Sequence, residues 1–122
     1  MPSILLVADT PWIVNDVLAS LADRSYEITH LDDPRQITDR LAADRPDAVL
    51  VDLQIGSMGG MAVCREVRAT GDDAPPVILL LDRDADSFLA GRSGAVAAVR
   101  KPFSSDALRA AINAAVGAGT PA

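Results

Sequence analysis

Short apolar runs recur along the chain, each bounded by polar or turn-forming residues. Three of them are almost continuous in Val, Ile, Leu and Ala: residues 4–7, 48–51 and 77–81. Runs of this length without alternation are typical of strands buried on both faces of a parallel sheet. Residues 26–29 alternate between apolar and polar and predict an edge strand. Residues 96–99 predict a fifth strand, mainly by their place in the order.

Segments with helical periodicity separate these runs. In four of them, apolar side chains recur at the i, i+3 and i+4 spacings of an amphipathic helix: Val14, Val17, Leu18 and Leu21; Ile37 and Leu41; Val63, Cys64 and Val67; Leu108, Ala111, Ile112 and Ala115. The last helix should be capped by Ser104 or Ser105 and end at Gly117. Residues 85–92 predict the weakest helix, because they hold few large apolar side chains and a glycine.

The predicted elements alternate, strand then helix, five times over. Such alternation, with right-handed crossovers, produces a parallel sheet with helices on both faces. We therefore predict an α/β fold, a flavodoxin-like doubly wound sheet of five parallel strands in the order 2-1-3-4-5 with five helices. Residues 1–116 should form this single domain, and residues 117–122 a flexible tail or linker.

Composition narrows the class of protein. At 122 residues the chain fits one domain, and with 3% aromatic residues its core must be aliphatic. A net charge of −6 argues against direct nucleic-acid binding, which needs a basic face. The sequence shows neither a secretory signal nor an apolar stretch that could span a bilayer, so we expect a cytoplasmic protein without membrane contact. Cys64 and His30 each occur once, and we expect a buried packing role for Cys64 and a surface position for His30.

Chemically active side chains stand directly at the ends of three predicted strands. Asp9 follows the first strand, Asp52 ends the third, and Lys101 follows the fifth. Ligands of open parallel sheets bind beyond the carboxyl ends of the strands, where strand order reverses, so these side chains should converge. Two carboxylates and an ammonium suit Mg²⁺ and a phosphoryl group, and one carboxylate can act as the nucleophile. Either aspartate alone would more often be a turn residue, so the prediction depends on all three.

Four segments resemble, in order and spacing, the receiver domain of two-component response regulators. The likeness covers about residues 4–116. The segments are residues 46–53 (PDAVLVDL), residues 57–68 (SMGGMAVCREVR), residues 93–95 (SGA) and residues 101–103 (KPF). Each motif is modest alone, but together they are specific.

The resemblance implies a phosphorelay role for three side chains and one main-chain carbonyl. Asp52 would accept a phosphoryl group from a histidine kinase or phosphotransfer protein, and Lys101 would contact the phosphoryl oxygens. Mg²⁺ would be held by Asp9, Asp52 and the main-chain carbonyl of Gln54. The Lys101–Pro102 peptide would often be cis. The domain would be no enzyme beyond its own phosphorylation and dephosphorylation, and it would act on an output domain or protein partner.

The sequence departs from the family pattern around this site. Ala8 stands where a first acid is usual, Leu81 where a hydroxyl is usual, and Ala98 where an aromatic switch residue is usual. Gly56 replaces a proline, and Asp82 replaces a small residue. With one acid lost, Asp9, Asp52 and Lys101 would carry a formal charge of −1, and Mg²⁺ should bind weakly.

Three functions follow from these observations. In the first, Asp52 is phosphorylated and signals through an atypical switch. In the second, the chain is a pseudo-receiver that binds a protein partner without phosphorylation. In both, the face made by the fourth helix, fifth strand and fifth helix is a candidate surface for a homodimer. The third, a flavodoxin-like enzyme or nucleotide binder, is disfavoured because residues 8–12 contain an acid and a proline but no glycine.

Overall fold

Strands and helices alternate throughout the computed structural model, which describes residues 2–22, 25–56, 58–83 and 86–119. Each strand is followed by a helix, and one 3₁₀ turn (Pro34–Gln36) leads into the second helix. The elements are β1 (Ser3–Val7), α1 (Pro11–Ser20), β2 (Glu27–Leu31), α2 (Ile37–Asp44), β3 (Ala48–Asp52), α3 (Gly60–Arg68), β4 (Val77–Leu81), α4 (Ser87–Arg92), β5 (Ala97–Arg100) and α5 (Ser105–Gly119).

The five described strands form one parallel sheet in the order β2-β1-β3-β4-β5. The predicted fold class and strand order are therefore confirmed. In the register of the sheet, Val7 pairs with Val51, Asp52 pairs with Leu80, and Leu81 pairs with Arg100. Because all strands run the same way, the residues that follow them meet at one edge of the sheet, here called the carboxyl edge.

Both faces of the sheet are covered, which explains the unbroken apolar runs. Every residue of β3 and β4 is buried. On one face Leu6, Leu50 and Leu80 pack with α1 and α5, and on the other Val51 and Leu79 pack with α2 and α3. Full burial of such a side chain contributes about 1.5–3 kcal/mol, so the two aliphatic layers supply the main stabilisation of the carboxyl edge.

Element ends differ from prediction by one or two residues. The edge strands β2 and β5 each begin one residue later than predicted, because half-exposed strands give a weaker apolar pattern. Ser104 caps α5 as predicted, since its Oγ accepts a hydrogen bond from the Ala107 N–H at 3.1 Å. The predicted helix end at Gly117 is wrong, because the backbone there stays helical and α5 continues to Gly119.

The remaining expectations about the chain concern its tail and its relation to membranes. Part of the predicted linker, residues 120–122, lies outside the described residues, and the domain boundary at residue 116 stays a prediction. Within the described ranges, none of the helices combines the length and apolar character that a bilayer span requires. Cys64 is buried, as expected, and its Sγ donates a hydrogen bond to the Ser93 carbonyl at 3.3 Å.

Candidate functional site

The carboxyl edge gathers the acids and the lysine that follow the strands. Asp52 ends β3, and Asp9, Asp82 and Lys101 come within two residues of the ends of β1, β4 and β5. Lys101 and Asp52 are 49 positions apart in sequence, yet their side chains are in contact. The predicted convergence of these two residues therefore occurs in the structure.

A buried ion pair forms the centre of the site. The Lys101 Nζ donates a hydrogen bond to Asp52 Oδ1 at 2.7 Å, and the two side chains are 4% and 0% exposed. The Gln54 backbone N–H donates to the same oxygen at 3.1 Å. A buried charge pair of this kind overcomes its desolvation cost only with close geometry and added hydrogen bonds, and both are present.

The second carboxylate oxygen of Asp52, Oδ2, differs from Oδ1 in its hydrogen bonding. Asp52 Oδ2 is buried and has no hydrogen-bond partner among the described residues. Buried polar atoms are nearly always hydrogen-bonded, so an exception calls for an explanation. A buried carboxylate oxygen without a partner is a candidate ligand for a cation, or a candidate nucleophile for an electrophile, that enters the site.

Backbone contacts with β4 fix the position of Lys101. Its N–H donates to the Leu81 carbonyl at 2.7 Å, and the Lys101–Pro102 peptide is cis, as the family resemblance implied. The chain bends directly after β5, and the lysine side chain runs inward to Asp52.

Asp82 is a second acidic partner of Lys101. The Lys101 Nζ lies 3.0 Å from Asp82 Oδ1, and the Asp82 side chain is 41% exposed. The hydrogen bond from Lys101 lowers the pKa of Asp82, and a side-chain hydrogen bond with Gln54 acts in the same direction. Its carboxyl group is therefore ionised at neutral pH.

The acid count predicted for the site is therefore too low. Sequence reasoning recorded Asp82 only as a departure from a small residue, and assigned the site a formal charge of −1. With Asp82 in contact with Lys101, three carboxylates and one ammonium give −2. The sequence contained this information. Asp82 directly follows β4, Lys101 directly follows β5, and these two strands are neighbours in the sheet.

Asp9 lies on the other side of the site and is held by a glycine. Its Oδ2 accepts a hydrogen bond from the Gly56 N–H at 3.0 Å. Gly56 has a φ of +30°, and a Cβ there would lie 3.3 Å from the same oxygen. A proline, usual at this position in the family, has no N–H to donate. The departure at Gly56 is thus coupled to the position of Asp9.

The other departures remove functional groups. Ala8 and Leu81 are buried among apolar side chains on opposite faces of the sheet, and neither offers a polar side-chain atom. Ala98 is exposed on β5. His30, expected at the surface, is exposed on the edge strand β2, and its Nε2 lies 2.6 Å from the Ala8 carbonyl oxygen.

The donor set at the carboxyl edge fits a hard cation held by few protein ligands. No group of three or more His, Cys, Asp or Glu side chains is clustered for metal binding in the described ranges. Mg²⁺ does not require such a cluster, because it commonly binds one or two carboxylates and keeps several waters. Asp52 Oδ2 is unpaired, and Asp9 is exposed. These acids are therefore compatible with a weakly held Mg²⁺.

One cavity of the described structure lies away from the carboxyl edge. It has a volume of about 480 Å³ and is lined by Leu41, Arg45, Pro46, Thr70 and Pro75, among others. These residues lie near the starts of β3 and β4, at the opposite edge of the sheet from Asp52. This cavity is therefore separate from the carboxyl edge and its acids.

Comparison with known proteins places the chain in one family. The response regulator receiver domain family matches residues 4–113. The response regulator MprA of Mycolicibacterium vanbaalenii is 36% identical over 123 residues, covering 99% of this chain and 53% of that protein. MprA of Mycobacterium tuberculosis H37Rv is 33% identical over 112 residues, covering 91% of this chain and 49% of that protein.

Solved structures show the same fold. A receiver domain protein from Clostridium thermocellum has a TM-score of 0.85 at 23% identity, covering 97% of this chain and 96% of its own. The BeF3-activated N-terminal receiver domain of Klebsiella pneumoniae RstA has a TM-score of 0.82 at 25% identity, covering 93% of this chain and 97% of its own.

The doubly wound sheet, with a buried acid–lysine pair at its carboxyl edge, is an α/β receiver fold. The chain belongs to the response regulator receiver domain family of two-component systems. It spans about half the length of the curated relatives it matches.

Proposed function

We propose that the domain accepts a phosphoryl group on Asp52 from the phosphohistidine of a histidine kinase or phosphotransfer protein, in an Mg²⁺-dependent reaction. One observation supports this assignment above the others: Lys101 and the Gln54 N–H hold Asp52 Oδ1, while the buried Oδ2 has no partner among the described residues. A carboxylate that acts as a nucleophile attacks through an oxygen lone pair, and Oδ2 has no hydrogen bond among the described residues to occupy its lone pairs.

In the proposed step, an Asp52 oxygen forms a bond to phosphorus while the bond from phosphorus to the donor's histidine nitrogen breaks. The imidazole leaves as the neutral base after taking up a proton, and Asp52 becomes an acyl phosphate. Lys101 is positioned 2.7 Å from Asp52 Oδ1, where its ammonium neutralises charge on a phosphoryl oxygen. The domain thus acts as a phosphoacceptor and not as a classical enzyme.

Mg²⁺ would be held by Asp9, Asp52 and the main-chain carbonyl of Gln54, and it would neutralise the remaining phosphoryl oxygens. The absence of an acid at Ala8 favours weak binding, of millimolar or lower affinity. Trp12, which is 51% exposed, follows Asp9 closely and is the only tryptophan of the sequence. We expect Mg²⁺ to change its emission, and a flat titration with the fold intact would count against the metal site.

Intact-mass measurement after incubation with acetyl phosphate or phosphoramidate and Mg²⁺ tests the phosphoacceptor role. We expect a gain of one phosphoryl mass in the wild type and in Asp72→Asn, a matched loss of one exposed carboxylate in the α3–β4 loop, and no gain in Asp52→Asn. A gain that persists in Asp52→Asn would place the modification elsewhere and overturn the assignment.

A pseudo-receiver that binds partners without phosphorylation is the second candidate function. It is favoured by the apolar Leu81 and the small, exposed Ala98, because neither can make the hydroxyl contact or the aromatic rotation expected at these positions. The surface of α4, β5 and α5, where Phe88 is 71% exposed, would then be the candidate site for a second copy or another protein. Absence of labelling with both phosphodonors, with the fold intact, would support this function.

A further inference from the structure

We propose that Asp82 is a positioning residue that competes with the phosphoryl group for Lys101 and thereby limits phosphorylation of Asp52. This inference rests on the proposed phosphoacceptor function. It concerns a residue that stands where the family usually has a small side chain.

The competition follows from the donors that Lys101 has available. An ammonium group has three N–H donors. One points to Asp52 Oδ1 at 2.7 Å and another to Asp82 Oδ1 at 3.0 Å. The lysine side chain is only 4% exposed, so it has little room to swing towards a new anion while keeping both carboxylates. Two of the three donors are thus engaged, so a phosphoryl oxygen would either take the third and share Lys101 with Asp82 or displace Asp82.

The strand register explains why Asp82 reaches this place. Leu81 of β4 pairs with Arg100 of β5. The residues that follow them, Asp82 and Lys101, therefore leave the sheet side by side. Asp82 also makes a side-chain hydrogen bond with Gln54, two residues after Asp52. These contacts hold its carboxylate across the loop that follows the acceptor.

Asp82 belongs to the lysine side of the site and not to the metal side. Asp9, the metal-side acid, is held by the Gly56 N–H. Asp82 follows β4 and pairs with Lys101 at 3.0 Å, whereas Ala8 follows β1 on the other side of β3. Its charge acts chiefly on Lys101 and on any anion that approaches Lys101.

An exposed ion pair without functional effect is the simplest alternative. Pairs between exposed side chains contribute little, since water screens them. The pair of Lys101 and Asp82 differs, because its cation is buried and is shared with the acceptor aspartate. Removing the Asp82 charge should therefore change the chemistry at Asp52 more than it changes stability.

The test is the initial rate of phosphorylation by acetyl phosphate and Mg²⁺, followed by intact mass in wild type, Asp82→Asn, Asp82→Ala and Asp72→Asn. We expect both Asp82 variants to be labelled about tenfold faster, from the loss of one screened like charge near the phosphoryl group. Asp72→Asn removes the same charge far from the carboxyl edge and should react at the wild-type rate.

Two further measurements separate a positioning role from a structural one. Asp82→Glu, which retains the carboxylate, should restore slow labelling. Beryllofluoride is a phosphoryl analogue that binds without transfer chemistry. It should saturate Asp82→Asn at about a tenfold lower concentration than wild type, because this variant also lacks the screened negative charge near the bound anion. Circular dichroism confirms that each variant is folded.

The outcomes distinguish this inference from the function on which it rests. If wild type is labelled on Asp52 and the Asp82 variants are labelled no faster, the competition is wrong and the phosphoacceptor function stands. If only the Asp82 variants are labelled, the competition is supported in its strongest form and the native domain is not a phosphoacceptor under these conditions. If no variant is labelled or binds beryllofluoride, both proposals fail, because removing the competitor should have opened the site.

Discussion

Charged side chains are arranged differently on the two sides of Asp52. On the metal side, Asp9 is exposed and held by a single backbone N–H, and its neighbour Ala8 offers no second acid. On the lysine side, a buried ammonium lies between two carboxylates. The site has lost an acid on the side that would bind a cation and gained one on the side that would bind an anion.

This redistribution matters more than the total charge. A formal charge of −2 is also expected for a receiver with two acids after β1, yet here the third carboxylate neutralises the lysine and not a metal. The difference predicts weak cation binding and a crowded anion site in the same molecule. The following predictions test the lysine side of Asp52, the backbone that carries Asp52, and the side of Asp9.

Lys101→Ala should have the largest effect on stability. It leaves the fully buried Asp52 carboxylate without its cation, and breaking a buried pair in this way costs about 3–5 kcal/mol. Arg40→Ala breaks the half-exposed pair with Asp44 and should cost at most about 0.5 kcal/mol. Denaturant unfolding at neutral pH measures both. A loss below about 1 kcal/mol for Lys101→Ala would mean that Asp52 is not stabilised by this pair.

Gly60→Ala should destabilise the protein at the end of β3 by about 1–3 kcal/mol, because overpacking forces the backbone to shift. A Cβ at Gly60 would lie 2.6 Å from the Leu53 Cα and 2.8 Å from the Asp52 carbonyl oxygen. Gly117→Ala in α5 is the control, because a Cβ there meets nothing within 4 Å, and it should be neutral or stabilising. Thermal and denaturant unfolding compare the two. Equal stability of both variants would show that the backbone after Asp52 can yield.

Asp9→Asn should weaken Mg²⁺ binding on the order of tenfold, the loss of one partly screened carboxylate ligand. Asp82→Asn should weaken it less, because Asp82 pairs with Lys101 on the opposite side of Asp52. Trp12 emission during Mg²⁺ titration reports both affinities. A larger loss for Asp82→Asn than for Asp9→Asn would reverse the assignment of the two sides.

The smallest predicted effect is on the pH dependence of stability. Lys101 lowers the pKa of Asp82 in the folded protein, so this pair stabilises the fold above the ordinary carboxyl pKa of 3.8. That stability is lost as pH falls below 3.8 and through the folded pKa. Since Asp82 is 41% exposed, the contribution should stay below about 1 kcal/mol. Without added metal, the unfolding free energies of wild type and Asp82→Asn should differ at pH 6, and the difference should shrink as pH falls below 3.8. A difference in unfolding free energy that does not change with pH would contradict a contribution of the Lys101–Asp82 pair to stability.

The strength of the apolar pattern decided how well the sequence predicted each element. The core strand β4 was predicted to the residue, because burial on both faces leaves an unbroken apolar run. The edge strands begin one residue later than predicted, since exposed positions in these strands weaken the apolar pattern. The end of α5 was misplaced because Gly117 suits a helix end but does not require one, and here its backbone stays helical.

Within the site, the contact between Asp52 and Lys101 was predictable from strand order alone. The contact of Asp82 was not recognised, because it depends on the register between β4 and β5 and on the direction of the Lys101 side chain. The glycine that holds Asp9 was likewise recorded only as a missing proline. A list of departures from a family pattern shows what is lost, but it does not show which new contacts the replacements make.

The length of α5 sets how far a chemical event at Asp52 is from the other end of the domain. The helix begins near the carboxyl edge and runs for 15 residues, about 22 Å at 1.5 Å per residue. At physiological ionic strength the Debye length is about 8 Å, so a charge exposed to solvent at the carboxyl edge is largely screened from exposed groups near Gly119. Any module attached beyond that end would therefore have to respond to displacements of helices and strands, or contact the carboxyl edge directly.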